Sequence, residues 1–316
     1  MARQTKQRSL PDACGDLSLR GQQRRHELRN ARVQMNERLI RADGVELAAQ
    51  AFGDAERPPV LLIMGAMASM LWWPDGFCER LANRGRYVVR YDNRDTGHST
   101  TCPPGEPAYT GDDMADDAMR VLDGFGLSSA HLVGMSAGGM TAQLAALRHP
   151  ARVASLTVIS ASPLGEDTSG LPGPSAAYGR HAAAFGRVDW TDRAQVIRFM
   201  VTDSRMLAGT AHPFDEARVR RLIERDFDRA RNFASATNHL LVGGGEVWEG
   251  RLGELRAPLL VIHGTADPLF PIEHGIALAE KIAGATLVRL DGGGHELHEA
   301  HWDTIITAIV AHTGRR

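Results

Sequence analysis

The residues of this chain best suited to covalent chemistry are a serine, an aspartate and a histidine, in that order. Gly134-Met135-Ser136-Ala137-Gly138 is a G-x-S-x-G run. Small residues at its ends let a chain turn sharply from a strand into a helix and lift the serine above a sheet. A serine hydroxyl is a weak nucleophile and needs a neighbouring base. Asp267, in His263-Gly264-Thr265-Ala266-Asp267-Pro268, and His295, in Asp291-Gly292-Gly293-Gly294-His295, complete the order serine, acid, histidine. His295 would take the Ser136 proton, and Asp267 would hold the imidazole in the useful tautomer. The chemistry expected of such a set is acyl transfer through an acyl-serine.

Acyl transfer also needs N–H groups aimed at the developing oxyanion. Ala137 is expected to supply one, and Ala66, in Gly65-Ala66-Met67-Ala68-Ser69, the other. Gly65, Met67, Trp73 and Met135 are taken as substrate-binding positions. With 33 glycines and 13 histidines in the chain, neither the serine motif nor a late histidine is decisive alone. An ordinary N-cap serine in a glycine-rich turn is the alternative for Ser136, and a plain tight turn for residues 65–69. Asp291 is a rival acid but stands close to His295 in sequence. His298 and His301 follow at three-residue spacing; with no H-E-x-x-H present, a helix surface is expected there and no metal site. Asp92-Asn93-Arg94-Asp95-Thr96-Gly97-His98-Ser99 reads as a hydrogen-bonded loop bracing the serine turn rather than a second centre.

Several elements must position these residues. Short apolar or β-branched runs occur at 46–52, 60–64, 87–91, 131–134, 153–160, 258–263 and 286–290. Helical spacing marks 75–83, 112–122, 137–148, 273–282 and 302–311. Strands alternating with helices predict an α/β fold, a mostly parallel sheet covered on both faces. Ser136 then lies between a strand and a helix. Asp267 and His295 follow strands directly, at the sheet edge where ligands bind in such folds. Residues 163–253 break the rhythm. They open on a Gly/Pro/Ser-rich stretch at 169–175 and continue with helical segments, including 215–233, and no clear strand. A helical cap inserted into a core of residues 35–162 and 254–316 is the reading.

Composition narrows the class. The net charge of −2 gives no reason to expect nucleic acid or an anionic membrane as partner. No apolar run is long enough to span a bilayer. Cys14, Cys78 and Cys102 are an odd, sparse set without C-x-x-C, which fits a reducing cytoplasm. Residues 1–34 carry many arginines without an apolar h-region, so they read as a disordered extension and not a secretory signal. Met35, just before the first strand-like segment, is an alternative start.

The residues from Met35 onward resemble the α/β-hydrolase superfamily. Within it they are most similar to the aclacinomycin methylesterase-like group of polyketide tailoring enzymes. The matching stretches are residues 60–64 with Gly65-Ala66, Trp73-Pro74-Asp75, residues 90–100, Val121-Leu122-Asp123-Gly124, Gly134-Met135-Ser136 and the Asp267 and His295 loops. The resemblance implies an α/β-hydrolase fold with a helical cap forming the pocket, a Ser136–Asp267–His295 triad with Ala66 and Ala137 donors, and no cofactor or metal. It also implies a small hydrophobic ester as substrate, with methanol as the alcohol released. Family members often carry Gly-Gly at Gly65-Ala66 and a bulky residue at Ala137. Aromatics such as Tyr178, Phe199 and Phe227, with Trp72 and Trp73, are candidates to line an apolar pocket. A lactonase, a cofactor-free perhydrolase and a non-catalytic ligand receptor remain alternatives, and association into a homo-oligomer is left open.

Overall fold

Strand burial explains the architecture. In β3 (Pro59–Ile63), Val60 and Leu62 join one core and Leu61 and Ile63 the other, all at zero exposure. A strand covered on both faces has no polar face to present, which is why its sequence reads as a continuous apolar run. The same division recurs in β7 (Leu259–Gly264): Leu259 and Val261 face one core, Leu260 and Ile262 the other.

The computed structural model describes residues 37–244 and 246–314. The expectations for residues 1–34 lie outside them. One eight-stranded sheet has the order β1-β2-β4-β3-β5-β6-β7-β8. The strands are β1 (Glu37–Ala42), β2 (Val45–Phe52), β3, β4 (Tyr87–Tyr91), β5 (Ala130–Met135), β6 (Val153–Ile159), β7 and β8 (Thr286–Leu290). β2 pairs antiparallel with β4; the run from β4 to β8 is parallel. The sequence reading missed β1. Its signal was the Asp43-Gly44 pair, which turns with positive φ at both residues (49° and 79°), as a two-residue hairpin requires.

Helices α1 (Asp75–Asn83) and α8 (Trp302–Thr313) cover one face with Phe77, Leu81, Ile305 and Ile309. α2 (Gly111–Gly124), α3 (Ala137–Arg148) and α7 (Ile272–Lys281) cover the other with Val121, Leu144 and Leu278. α2 begins one residue earlier than the sequence reading, because Thr110 is its N-cap. The Thr110 hydroxyl accepts from the Asp113 N–H, and the Asp113 carboxylate accepts from the Thr110 N–H. Between β6 and β7 the chain forms α4 (Ala176–Ala182), α5 (Arg193–Leu207), α6 (Glu216–Arg229) and a 3-10 segment, Phe233–Leu240. Asp192 and Asp215 cap α5 and α6. This insertion touches the loops after β3, β4 and β8, all at the carboxyl ends of the parallel strands. Trp72 Nε1–H donates to Asp226, Arg229 pairs with Asp92, and the Leu207 carbonyl accepts the His295 N–H. Among the described residues, no helix is long and apolar enough to cross a membrane.

Candidate active site

The turn between β5 and α3 is closed by glycine. A Cβ on Gly134 would stand 2.2 Å from the Gly138 carbonyl oxygen, and one on Gly138 would stand 2.3 Å from that of Ile63. Neither backbone atom can move aside, so both ends of G-x-S-x-G must be glycine. Ser136 between them has φ 54° and ψ −127°. Such a positive-φ conformation outside the left-handed helical well costs a residue with a Cβ about 1–3 kcal/mol and persists only where its surroundings enforce it. Here the Ser136 N–H donates to the Ile159 carbonyl, and its own carbonyl starts α3 through the Gly139 and Met140 N–H groups.

His295 is delivered by the loop after β8. Its Nδ1–H donates to Asp267 Oδ2 at 2.8 Å, and its Nε2 accepts the Ser136 hydroxyl at 2.8 Å. The carboxylate can only accept at Nδ1, which leaves Nε2 unprotonated towards Ser136. Asp267 is itself oriented. Its Oδ1 accepts the Leu269 and Phe270 N–H groups, each at 2.9 Å. Burial pushes the Asp267 pKa up, but the hydrogen bonds from His295 and the Phe270 N–H outweigh it, leaving the carboxyl below its ordinary value. His263 lies 3.6 Å from the same carboxylate, with its Nε2–H given to the Phe270 carbonyl. Burial lowers its pKa and favours the neutral ring. Among the described residues, the carboxylate that hydrogen-bonds and pairs with His295 is that of Asp267 and not that of the rival acid Asp291.

Ala66 and Ala137 are both partly exposed, and neither N–H has a hydrogen-bond partner among the described residues. Ala137 is the first residue of α3, where the helix dipole favours negative charge. Gly65 abuts the serine: a Cβ there would stand 3.0 Å from Ser136 Cβ. Met67 lies in the same loop, with φ 62° and its N–H donated to His239 Nδ1. The two other expected substrate positions lie elsewhere. Trp73 has no exposed surface; it packs on Phe77 in the core beneath α1. Met135 is buried in that same core. Alternation along the chain decides this, since Trp72 turns to the insertion and Trp73 to the sheet.

The loop after β4 is structural, but it braces a different element from the one expected. Asn93 Nδ2 donates to the Met64 carbonyl and Asp92 Oδ1 accepts the Met70 N–H, so its bonds go to the loop after β3 and not to the serine turn. Arg94 forks onto Asp117. His301 ends a short 3-10 helix, Glu299–His301, just before α8, and His298 is its N-cap; His298 stacks on His212 at 4.8 Å. Among the described residues, no group of three histidine, cysteine or carboxylate side chains is arranged to hold a metal ion.

Several site residues left no local signal. Phe270 lies edge-on to His295 at 5.7 Å, and His239 reaches the β3 loop from 172 residues away. In the insertion, His181 stacks on Phe199 at 4.7 Å and pairs with Asp203 at 3.2 Å. Burial leaves the Asp203 pKa raised, with His181 and, more weakly, His295 opposing the shift without cancelling it. Phe185, Trp190 and Phe199 pack on one another, so part of the aromatic content is the insertion's own core. A cavity of about 360 Å³ between α4 and α5 is lined by His181, Phe199, Gln195 and Arg198, among others, and by no residue of the Ser136 cluster.

Residues 58–301 match the α/β hydrolase fold family. The chain belongs to the α/β-hydrolase family. It is 35% identical over 294 residues to rhodomycin D methylesterase DnrP of Streptomyces peucetius, covering 88% of this chain and 98% of that one. DauP of Streptomyces sp. (strain C5), also a rhodomycin D methylesterase, matches to the same extent. Both agree with the methylesterase-like group to which the sequence motifs point. Among solved structures, a hydrolase from Pseudomonas aeruginosa PA01 superposes with a TM-score of 0.68 at 26% identity, covering 89% of this chain and 99% of that one. The esterase EaEST of Exiguobacterium antarcticum gives 0.71 at 20% identity over the same shares, a likeness of fold alone.

Proposed function

We propose that this α/β hydrolase cleaves a carboxylic ester through an acyl-serine intermediate. The observation that carries the reading is one imidazole, His295, hydrogen-bonded at 2.8 Å both to Asp267 and to the hydroxyl of a serine in a strained strand–helix turn. Ser136 Oγ attacks the ester carbonyl as its proton passes to His295 Nε2. Asp267 stabilises the imidazolium that forms. The Ala66 and Ala137 N–H groups receive the oxyanion. Collapse expels the alcohol, which takes the proton from His295, and leaves the acyl group on Ser136. Water then gives a proton to His295 and attacks the acyl-enzyme, releasing the acid and regenerating Ser136.

The substrate class follows from likeness and from the insertion. Two relatives named methylesterases make a methyl ester of a hydrophobic, polycyclic acid the first substrate to test. The insertion acts as the cap, since it reaches the loops that carry Ala66 and His295. Gly65 and Met67 flank the ester. A fluorophosphonate probe is expected to label Ser136, and Ser136→Ala to lower kcat about 10⁴–10⁶-fold with the fold retained. Unlabelled Ser136 would favour a ligand receptor. Turnover of lactones with none of open-chain methyl and aryl esters would overturn the ester reading.

A further inference from the structure

We infer that His239, a residue of the insertion, is a positioning residue for the oxyanion hole. The inference rests on the ester-hydrolase reading, in which Ala66 N–H is a donor.

The loop from Met64 to Met70 contains the Ala66 donor, and among the described residues three side chains from elsewhere bond to its backbone. Asn93 takes the Met64 carbonyl at 3.0 Å and Asp92 the Met70 N–H at 2.9 Å. Between them, His239 Nδ1 accepts the Met67 N–H at 2.9 Å. The other ring nitrogen of His239 stands 2.7 Å from the Arg94 carbonyl. A backbone N–H can only donate and a carbonyl can only accept, so the ring is neutral and protonated on Nε2. Burial lowers its pKa, which favours that same form. A protonated ring would present a second donor to the Met67 N–H and break the clamp.

The strain lies where His239 acts. Met67 has φ 62°, a left-handed conformation with no glycine to permit it. Without an acceptor for its N–H, the loop would relax and turn the adjacent Ala66 peptide away from the reacting carbonyl. The holder is itself rigid. In the 3-10 segment Phe233–Leu240, residues 233–236 and Asn238 are buried, and Asn238 donates to Asp95 and to the Pro103 carbonyl and accepts from the Gly105 N–H. The insertion therefore carries part of the alignment of the catalytic machinery, in addition to covering it.

Two variants separate this role from simple packing. In His239→Asn the amide carbonyl falls near the Nδ1 position and restores the acceptor for Met67. In His239→Gln the longer amide falls near Nε2, keeping the Arg94 contact and losing the Met67 one. Steady-state hydrolysis of an aryl ester would be normalised to active sites titrated with a fluorophosphonate. We expect kcat of His239→Gln to fall about tenfold, less than for outright loss of an oxyanion donor, with KM within twofold. His239→Asn should stay within about threefold of wild type in kcat. A boronic acid mimic of the tetrahedral intermediate should lose affinity for the Gln variant alone. Equal kcat in the two variants, or a loss confined to KM or to the titratable fraction, overturns the inference. Failure of wild-type Ser136 to react with the probe instead overturns the ester-hydrolase reading. ¹⁵N-histidine spectra of the wild-type enzyme give a test without substitution. His239 should be protonated on Nε2, and its Nδ1 resonance should move when the boronic acid binds; an Nδ1-protonated ring, or an unmoved resonance, overturns the inference.

Discussion

Asp267 accepts three hydrogen bonds where orienting one imidazole requires a single one. The two backbone donors fix the carboxylate plane, so that Oδ2 meets His295 Nδ1 without freedom to rotate. Replacing it by Asn keeps the shape but can present an N–H to His295, leaving the wrong ring nitrogen protonated. Asp267→Asn is expected to lower kcat about 10³–10⁴-fold with Ser136 still in place, measured on titrated enzyme. The same contacts set a pH dependence. The folded pKa lies below the ordinary carboxylate value of about 3.9. The unfolded chain therefore takes up this proton first. The stabilisation is present above about pH 4 and is lost as the pH falls through the lowered folded pKa. Urea midpoints across the acid range should show a flatter pH dependence in Asp267→Asn than in the wild type.

Two elements carry contacts that can be tested apart from catalysis. Thr110 caps α2 from an exposed position and bonds to no residue of the Ser136 cluster, so Thr110→Ala should cost about 1 kcal/mol in urea unfolding and leave kcat unchanged. The junction of α6 with the loop after β4 is different in kind. Arg229 meets Asp92 at 2.8 Å with both side chains almost fully buried, so the pair is shielded from salt and solvent. Arg229→Met leaves the carboxylate buried without its cation, which costs about 3–5 kcal/mol. Asp92 also holds the Met70 N–H, and through it the Ala66 loop. The variant should therefore lose activity at denaturant concentrations where Thr110→Ala is still fully active.

Across the whole molecule, histidines held neutral by full or partial burial tie stability to pH. His131, on β5, has its pKa pushed down to about 4, by burial first and then by the charges of Arg86 and His312. His239 and His263 are lowered in the same direction by burial. Unfolded, each titrates near 6.5, so below about that pH the unfolded chain binds more protons at these sites than the folded one, for His131 down to about pH 4. Stability should fall as the pH drops through that window. Urea midpoints at pH 7 and pH 4.5 measure it, and His131→Gln should reduce the difference.

The sheet was legible because periodicity is local: strands buried on both faces read as apolar runs, and helices between them as amphipathic ones. The Ser136 turn was legible for a similar reason, since glycine is the only residue that fits where a Cβ would strike backbone. The order of Ser136, Asp267 and His295 along parallel strands then brought them to one sheet edge. Other features depended on distant partners. Residues 72 and 73 are the same residue type side by side, and only the packing of α1 and the insertion sent one to each side. The bonds of the Asp92 loop reach the β3 loop, and His239 acts across 172 residues. Neither contact has a periodicity or a spacing, because each depends on how separate elements pack. Local pattern was enough for the fold class, the order of Ser136, Asp267 and His295, and the glycine-closed turn around the serine. What steadies the loop carrying Ala66 came only with packing, because its supports, Asp92, Asn93 and His239, are joined to it by folding and not by the chain.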